Sequence, residues 1–252
     1  MASESTSGKM LRVLDLIEDS IEPVTAERML TELGYTRSVL YRHLKILTDS
    51  NLIASISDAG YTLGPRIVEL DYKIRSRDPL LAAARPSMIE LAERERGIAL
   101  LCRRYKDVVL CIHQERGDPS FRSNFTRGLA RPLFRGAASR IILAHMKPAA
   151  INRLLAEHQE AFVEGQLGAN HAEALATLRR LRKQGWDLTA GQVTAGVVGI
   201  AAPLFDNRGD ILGSLSLTLR NRERSEAEIG RLIERVRLCA AITTKTVSQE
   251  ND

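Results

Sequence analysis

Apolar residues near the start of the chain recur at helical spacing, which predicts an amphipathic first helix ending before Pro23. Its stripe consists of Met10, Leu14, Ile17 and Ile21. A short second helix is predicted over residues 26–33, because Thr25 can cap its first turn. Gly34 then permits a tight turn. Two helices joined through a turn are therefore expected ahead of a third.

The third predicted helix spans residues 37–49, begins after Thr36 and has two chemically different faces. Its apolar stripe consists of Leu40, Leu44 and Leu47. Its other face carries the hydrogen-bond donors Arg37, Ser38, Tyr41, Arg42 and Lys45. One face can therefore pack while the other contacts a partner.

Two β-prone runs at residues 53–56 and 61–63 flank the turn Ser57-Asp58-Ala59-Gly60, a pattern typical of a β-hairpin. Pro65 suits the first position of a further helix, and Asp78-Pro79 disfavours its continuation. This helix carries a narrow apolar seam made of Ile67, Leu70 and Ile74. The pattern predicts an N-terminal domain over residues 1–64, a linker helix over 65–78 and a second domain over 79–252.

The second domain alternates predicted helices and strands. Helices are predicted at residues 80–96, 136–145, 149–157 and 171–184, with a last helix reaching about residue 247. Strands are predicted at residues 98–105, 108–115, 186–191, 197–205 and 211–219. This order indicates an antiparallel sheet flanked by helices, so the fold class is α+β.

Alternation along the last two strands gives the predicted sheet a face of small and polar side chains. Ser214, Ser216 and Thr218 share one face of the final strand, opposite three leucines. Gly199 and Ala201 share one face of the strand before it. Small residues leave volume and hydroxyls can orient a ligand, so this face is a candidate small-molecule site. A half-solvated sheet face is the plainer alternative.

Composition narrows the class of protein. The 252 residues are 44% hydrophobic and 27% charged, and no apolar run reaches the roughly 18–20 residues of a membrane span. The N-terminus does not resemble a secretory signal, which favours a soluble cytoplasmic protein without membrane contact. Three scattered cysteines fit buried apolar positions, and neither a metal site nor a cofactor is predicted.

Charge does not by itself indicate what the N-terminal domain binds. The chain has a net charge of +5, yet residues 1–79 hold 10 Lys and Arg against 12 Asp and Glu. The local arrangement is more informative, because three helices followed by a hairpin form a winged helix-turn-helix. Thr25 and Thr36 lie at helix N-termini that favour phosphate, and the donor face of the third helix suits the major groove. The wing adds Ser55 and Ser57 as candidates for binding double-stranded operator DNA.

Residues 36–70 resemble the recognition helix, wing and linker of the IclR family of transcription regulators, including the Gly-Tyr-Thr-Leu-Gly ending of the wing at 60–64. Residues 132–146 and 185–219, with Ala-Ala-Pro-Leu-Phe-Asp at 201–206, look like segments of that family's effector domain. The resemblance covers nearly the whole chain. It implies a GAF-like domain whose pocket lies between the curved sheet and the helix that carries residues 135–145.

The chain departs from the family pattern at two positions near this implied pocket. Gln192 stands where an acidic residue is common, and Phe134 where histidine is common. A pocket that gains a ring and loses a carboxylate favours an aromatic or carboxylated metabolite as its effector. Gly136 and Ala137 offer backbone contacts. The effector-binding candidates are Phe134, Gly136, Ala137, Gln192, Gly199, Ala201, Ser214, Ser216 and Thr218.

The sequence also predicts that the protein forms oligomers, and it leaves two alternative functions to weigh. One recognition helix reads few bases, and the seam Ile67, Leu70 and Ile74 needs a cover, so a homodimer or a dimer of dimers is expected. An enzyme with a DNA-binding appendage is disfavoured because no common catalytic motif occurs. An architectural DNA-binding protein without an effector remains the other alternative. A ligand that changes DNA affinity would exclude it.

Overall fold

The computed structural model describes residues 5–250, and the chain divides into two compact units between Asp78 and Pro79. The first unit consists of α1 (Thr6–Glu18), α2 (Ala26–Leu33), α3 (Arg37–Asp49), the strands β1 (Ile53–Ile56) and β2 (Gly60–Leu63), and α4 (Pro65–Ser76). This is the predicted order of three helices, a hairpin and a further helix.

The core of the first unit forms where the apolar stripes of α1, α2 and α3 meet. Its buried side chains include Val13, Ile17, Met29, Leu40, Leu44 and Leu47. Ile21 was assigned wrongly to the first stripe, because α1 ends at Glu18 and Ile21 is fully exposed beyond it. Thr25 caps α2 by accepting a hydrogen bond from Arg28 N at 3.2 Å. Thr36 occupies the cap position of α3 but makes no such bond through its side chain.

The hairpin is anchored to the chain segment before α2. Tyr61 exchanges two backbone hydrogen bonds with Val24, each 2.9 Å long. Gly60 has a φ of 116°, and a Cβ atom there would lie 2.5 Å from the Val24 carbonyl oxygen. Only glycine therefore fits at the start of β2, because any other side chain would push the hairpin away from this segment.

The second unit is built on an antiparallel sheet with helices on both faces. Its helices are α5 (Pro79–Glu95), α6 (Ala137–His145), α7 (Pro148–Glu157), α8 (Gln159–Glu164), α9 (His171–Gln184) and α10 (Glu226–Glu250). Its strands are β3 (Ile98–Tyr105), β4 (Val108–Arg116), β5 (Ala130–Pro132), β6 (Asp187–Ala190), β7 (Val197–Phe205) and β8 (Ile211–Arg220). The predicted α+β class is confirmed, whereas α8 and β5 were not predicted.

Among residues 5–250 the strands of this sheet lie in the order β5-β4-β3-β8-β7-β6. One face packs against α6, α7, α8 and α9. The other face packs against α5 and α10, and there Leu215, Leu217 and Leu219 are buried as the alternation predicted. Cys102 and Cys111 are free, buried and opposite each other on β3 and β4. Across the described helices, none is long and apolar enough to cross a membrane.

Candidate functional site

A cavity lies where the N-terminus of α6 approaches the sheet of the second unit. It holds about 490 Å³ of space, part of which is open to solvent. Only about 50 Å³ of it can hold the centre of a water molecule, so the enclosed part of the cavity is small. Strands β3, β6, β7 and β8 supply its floor through Leu100, Thr189, Gly199, Ser216 and Thr218. The remaining wall comes from the start of α6 and the loop before it, from the loop between β4 and β5 together with β5, and from the loop between β6 and β7.

Six of the nine predicted effector-binding residues line this cavity. They are Gly136, Ala137, Gln192, Gly199, Ser216 and Thr218. Ser216 is 2% exposed, and its Oγ atom has no hydrogen-bond partner within the described part of the chain. A buried hydroxyl without a partner is costly, so a ligand that offers it an acceptor gains a strong contact.

The other three predicted residues lie outside the cavity lining. Phe134 is buried in the core with its ring centroid 5.8 Å from that of His158. Ser214 Oγ donates to the Ala138 carbonyl oxygen at 3.0 Å, so α6 covers this end of β8. Ala201 is buried in the same core. Alternation along the strands identified the correct face of the sheet. It did not show how far α6 covers that face.

The first turn of α6 presents backbone N–H groups to side chains of the cavity wall. Gly136 N donates to Gln192 Oε1 at 2.9 Å, and Ala137 N donates to Thr189 Oγ1 at 3.1 Å. Gly136 has a φ of 82°, a conformation that side chains disfavour, and its position turns the chain into the helix. The N-terminus of a helix carries a partial positive charge, so this wall favours an anion.

Two arginines and two apolar side chains also line the wall. Arg135 Nη2 donates to the Gln192 carbonyl oxygen at 2.7 Å, and the Arg131 guanidinium lies 5.8 Å from the centre of the Phe125 ring. Val193 also lines the cavity. None of the described lining residues is an aspartate or a glutamate, so the two positive charges have no carboxylate partner in this wall.

A buried ion pair anchors α6 behind the cavity. Arg140 Nε lies 3.0 Å from Asp187 Oδ2, and these residues are 6% and 3% exposed. Burial raises the pKa of Asp187 to about 6, although the charge of Arg140 opposes that shift. Burial also lowers the pKa of Arg140. Arg140 Nη1 further donates to the Gly165 carbonyl oxygen at 3.1 Å, which joins α6 to the chain just after α8.

Gly199 forms part of the cavity floor and leaves room for a methyl group. A Cβ atom built there would lie 3.8 Å from Thr189 Oγ1 and 3.9 Å from Ala137 Cβ. Both distances are ordinary van der Waals contacts.

In the first unit, the predicted DNA-binding residues all lie at the surface. They are Thr25, Thr36, Arg37, Ser38, Tyr41, Arg42, Lys45, Ser55 and Ser57. His43 instead points into the core at 1% exposure, edge-on to the Tyr35 ring. Burial, followed by the charges of Arg42 and Lys9, lowers the pKa of His43. A neutral ring therefore packs beneath the donor face of α3.

The apolar seam of α4 is largely exposed within its own unit. None of the residues of α4 is buried. Ile67 is half-buried, whereas Leu70 is 39% and Ile74 is 66% exposed. Val68 and Tyr72 on the same helix are also more than two-thirds exposed. An apolar surface of this kind is typical of a protein interface.

The family model of the bacterial transcriptional regulator IclR C-terminal domain matches residues 73–244, which is more than half of the chain. The chain belongs to the IclR family. This confirms the family resemblance, and the match contains its effector-domain segments at residues 132–146 and 185–219. The matched residues include the whole cavity wall described above.

Curated relatives of this IclR-family chain are also regulators. The HTH-type transcriptional regulator BhcR of Paracoccus denitrificans is 26% identical, over 90% of this chain and 82% of its own length. The probable HTH-type transcriptional regulator ArcR of Halobacterium salinarum is 23% identical, over 86% of this chain and 84% of its own. The chain is therefore similar to bacterial and archaeal transcription regulators.

Solved structures of IclR-family proteins share the fold along nearly the whole chain. A regulator from Alicyclobacillus acidocaldarius has a TM-score of 0.79 at 20% identity, covering 96% of this chain and 98% of its own. An IclR homologue from Microbacterium hydrocarbonoxydans, solved in complex with 4-hydroxybenzoate, has a TM-score of 0.78 at 20% identity. That match covers 97% of this chain and all of the neighbour.

Sequence reasoning missed part of the cavity wall of this IclR-family chain. The missed lining residues are Leu100, Ser123, Phe125, Arg131, Arg135, Ala138, Ser139, Thr189, Val193, Thr194 and Val197. The alternation that selected Ser216 also runs along β6, so it could have identified Thr189. The segment from the end of β4 to the start of α6, which includes the short strand β5, has no clear periodicity. Its basic character was the available signal for Arg131 on β5 and for Arg135.

Proposed function

We propose that this IclR-family regulator binds operator DNA through α3 and the hairpin, and that its cavity binds an organic acid that changes this affinity. The observation that carries the effector class is the charge of the cavity wall. Arg131, Arg135 and the N-terminus of α6 are all positive, and no described lining residue is acidic. A carboxylate neutralises this wall, while Phe125 and Val193 suit an apolar or aromatic body.

The DNA-binding proposal rests on the separation of the two faces of α3. Arg37, Arg42 and Lys45 are exposed and can reach phosphates or guanine edges in the major groove. Ser38 and Tyr41 lie beside them. Thr25 and Thr36, at the starts of α2 and α3, suit backbone phosphates, and Ser55 and Ser57 place hydroxyls on the hairpin.

Two copies of the chain are proposed to act together on one operator. The exposed seam of Ile67, Leu70 and Ile74 on α4 offers a self-complementary apolar strip. Pairing would bring two α3 helices to successive half-sites about one DNA turn apart. The proposed role is regulatory binding rather than catalysis. The curated relatives, which are named as regulators, support it.

The effector class is tested by thermal melting of the full chain with matched pairs of acids and amides. The pairs are benzoate with benzamide, 4-hydroxybenzoate with 4-hydroxybenzamide, and propionate with propionamide. We expect an acid to raise the melting temperature more than its amide, because binding to the folded state stabilises it. The binding acid is then titrated against duplexes that the protein selects from a random pool, where it should change DNA affinity.

A charge-removing variant shows where the acid binds. Arg135→Gln should weaken acid binding about 10- to 100-fold, the usual range for a hydrogen bond to a charged group. Arg208→Gln, in the turn between β7 and β8, is the matched control and should bind normally. Equal stabilisation by acids and amides would reject the carboxylate assignment. An acid that binds without changing DNA affinity would favour the architectural alternative.

A further inference from the structure

We propose that the side chain of Gln192 takes the place of the ligand while the cavity is empty, which we call its stand-in role. The amide oxygen of Gln192 binds the N-terminus of α6 until a ligand carboxylate replaces it. The inference rests on the proposed acid-binding function of the cavity. It assigns Gln192 two roles: it sets the affinity for carboxylates, and it links the cavity to the turn after α8.

The carboxamide of Gln192 makes three hydrogen bonds with two parts of the chain. Its Oε1 accepts from Gly136 N at 2.9 Å. Its Nε2 donates to the Gly165 carbonyl oxygen at 3.3 Å and to Gln166 Oε1 at 3.0 Å. One side chain thus bridges the first turn of α6 and the turn that follows α8. Breaking the bond to Gly136 would free this bridge to move.

A carboxylate oxygen and the Gln192 amide oxygen would compete for the same donor. Gly136 has a single N–H, which donates to Gln192 Oε1, so an incoming acid that uses this donor must replace the amide oxygen. Hydrogen bonds to a charged acceptor are stronger than those to a neutral amide, and the helix N-terminus adds a further preference for negative charge. The unpartnered Ser216 Oγ, buried in the same cavity, offers the acid a second donor.

Displacement of Gln192 would release Gln166 more than Gly165. The Gly165 carbonyl also accepts from Arg140, which the buried pair with Asp187 fixes in place. Gln166 has a φ of 56°, a left-handed conformation that side chains disfavour, and its Oε1 is held by Gln192. Loss of that bond removes one restraint on a strained residue. An acid bound in the cavity would therefore loosen the turn between α8 and α9.

A direct contact between Gln192 and the ligand is the competing explanation, and it predicts the opposite sign. If Gln192 Nε2 simply donated to a bound acid, Gln192→Ala would weaken binding. If Gln192 is a stand-in, Gln192→Ala removes the competitor, and acids should bind about three- to tenfold more tightly. Gln192→Glu places a charged acceptor on the same N–H, so acids should bind at least tenfold more weakly than to the wild type.

The experiment measures dissociation constants of the full chain for the three acids and three amides named above, by calorimetry. Gln192→Asn, which keeps the amide but shortens its reach, is the second variant and should follow Gln192→Ala. Gln184→Ala is the matched control, because Gln184 Nε2 also donates to a backbone carbonyl, that of Trp186, but lies outside the cavity wall. The control should bind as the wild type does.

Hydrogen exchange of the backbone amides at residues 165–168 reports directly on the release of this turn, which a dissociation constant does not show. In the wild type, a bound acid should accelerate exchange in this turn. In Gln192→Ala the exchange should already be fast and should not respond to acid. A wild-type turn that is protected further by acid would contradict the displacement.

The outcomes separate the two proposals. If no acid binds the wild type or Gln192→Ala, the acid site is rejected and the stand-in role with it. If both bind acids with the same constant, the acid site stands and the stand-in role is overturned. Weaker binding by Gln192→Ala and Gln192→Asn would also overturn it, in favour of direct contact.

Discussion

The donor face of α3 and the neighbourhood of α6 carry positive charge in opposite environments. On α3, Arg37, Arg42 and Lys45 are exposed. Behind the cavity, Arg140 is 6% exposed and paired with Asp187. Exposed charges contribute little to folding and remain available to a partner, whereas buried ones need a counter-charge to be tolerated. The exposure of a charged side chain therefore indicates its role better than the net charge of its unit does.

The largest effect is expected from breaking the buried pair. Arg140→Met leaves the Asp187 carboxylate buried without its partner, so the free energy of unfolding should fall by about 3–5 kcal/mol. Urea unfolding of the second unit can be followed by the fluorescence of Trp186, the single tryptophan of the chain. Arg140→Met combined with Asp187→Leu should recover most of the loss. A loss under about 1 kcal/mol in the single variant would show that the pair is effectively solvated.

A smaller effect, on DNA binding alone, is expected from the removal of one exposed charge on α3. Arg42→Ala should weaken binding to a selected duplex by about 1–3 kcal/mol, because one charged contact to base or phosphate is lost. Its free energy of unfolding should change by less than about 0.5 kcal/mol. Arg12→Ala, at an exposed position of α1, is the control for nonspecific loss of charge. Unchanged DNA affinity in a folded Arg42→Ala protein would reject α3 as the reading helix.

The smallest effect on stability is expected for Ser214 and Ser216, which share one face of β8. The two serines compare a buried hydroxyl that has a hydrogen-bond partner with one that has none. Ser216→Ala removes a hydroxyl without a partner, so stability should stay equal or rise by up to about 1 kcal/mol while acid binding weakens. Ser214→Ala removes the bond to Ala138 and should cost about 0.5–1.5 kcal/mol. Thermal and urea unfolding compare the two variants. Equal losses would mean that Ser216 is satisfied by other means.

The regular parts of the chain could be predicted from sequence because their apolar periodicity coincides with their packing. The stripe Leu40, Leu44 and Leu47 is buried as expected, and the leucines of β8 occupy the face expected from alternation. Ile21 was assigned wrongly because the spacing continues beyond the last turn of α1. A pattern in one dimension does not show where backbone hydrogen bonding stops.

The residue pattern predicted the candidate site only where it lies on strands or at a helix start, whereas Gln192, in the loop between β6 and β7, was predicted from the family resemblance. Alternation selected Ser216, Thr218 and Gly199, all of which line the cavity. Ser214 fulfils the same pattern, yet the tertiary position of α6 covers it. Phe125 lies in the irregular loop between β4 and β5 and Arg131 lies on the short strand β5, and their place in the wall follows from the path of that segment. Local sequence rules do not encode that path.

Gly199 gives the cavity a way to change its selectivity without rebuilding the fold. Because a methyl group there meets Thr189 and Ala137 only at ordinary contact distance, alanine can occupy the floor with the strand left in place. The glycine is required by neither a left-handed φ nor a backbone clash. For an engineer, Gly199 is thus a position of the proposed effector site where the size of the accepted ligand can be reduced by single methyl groups. For evolution, the same position lets a duplicated gene acquire a new ligand while the first unit stays unchanged.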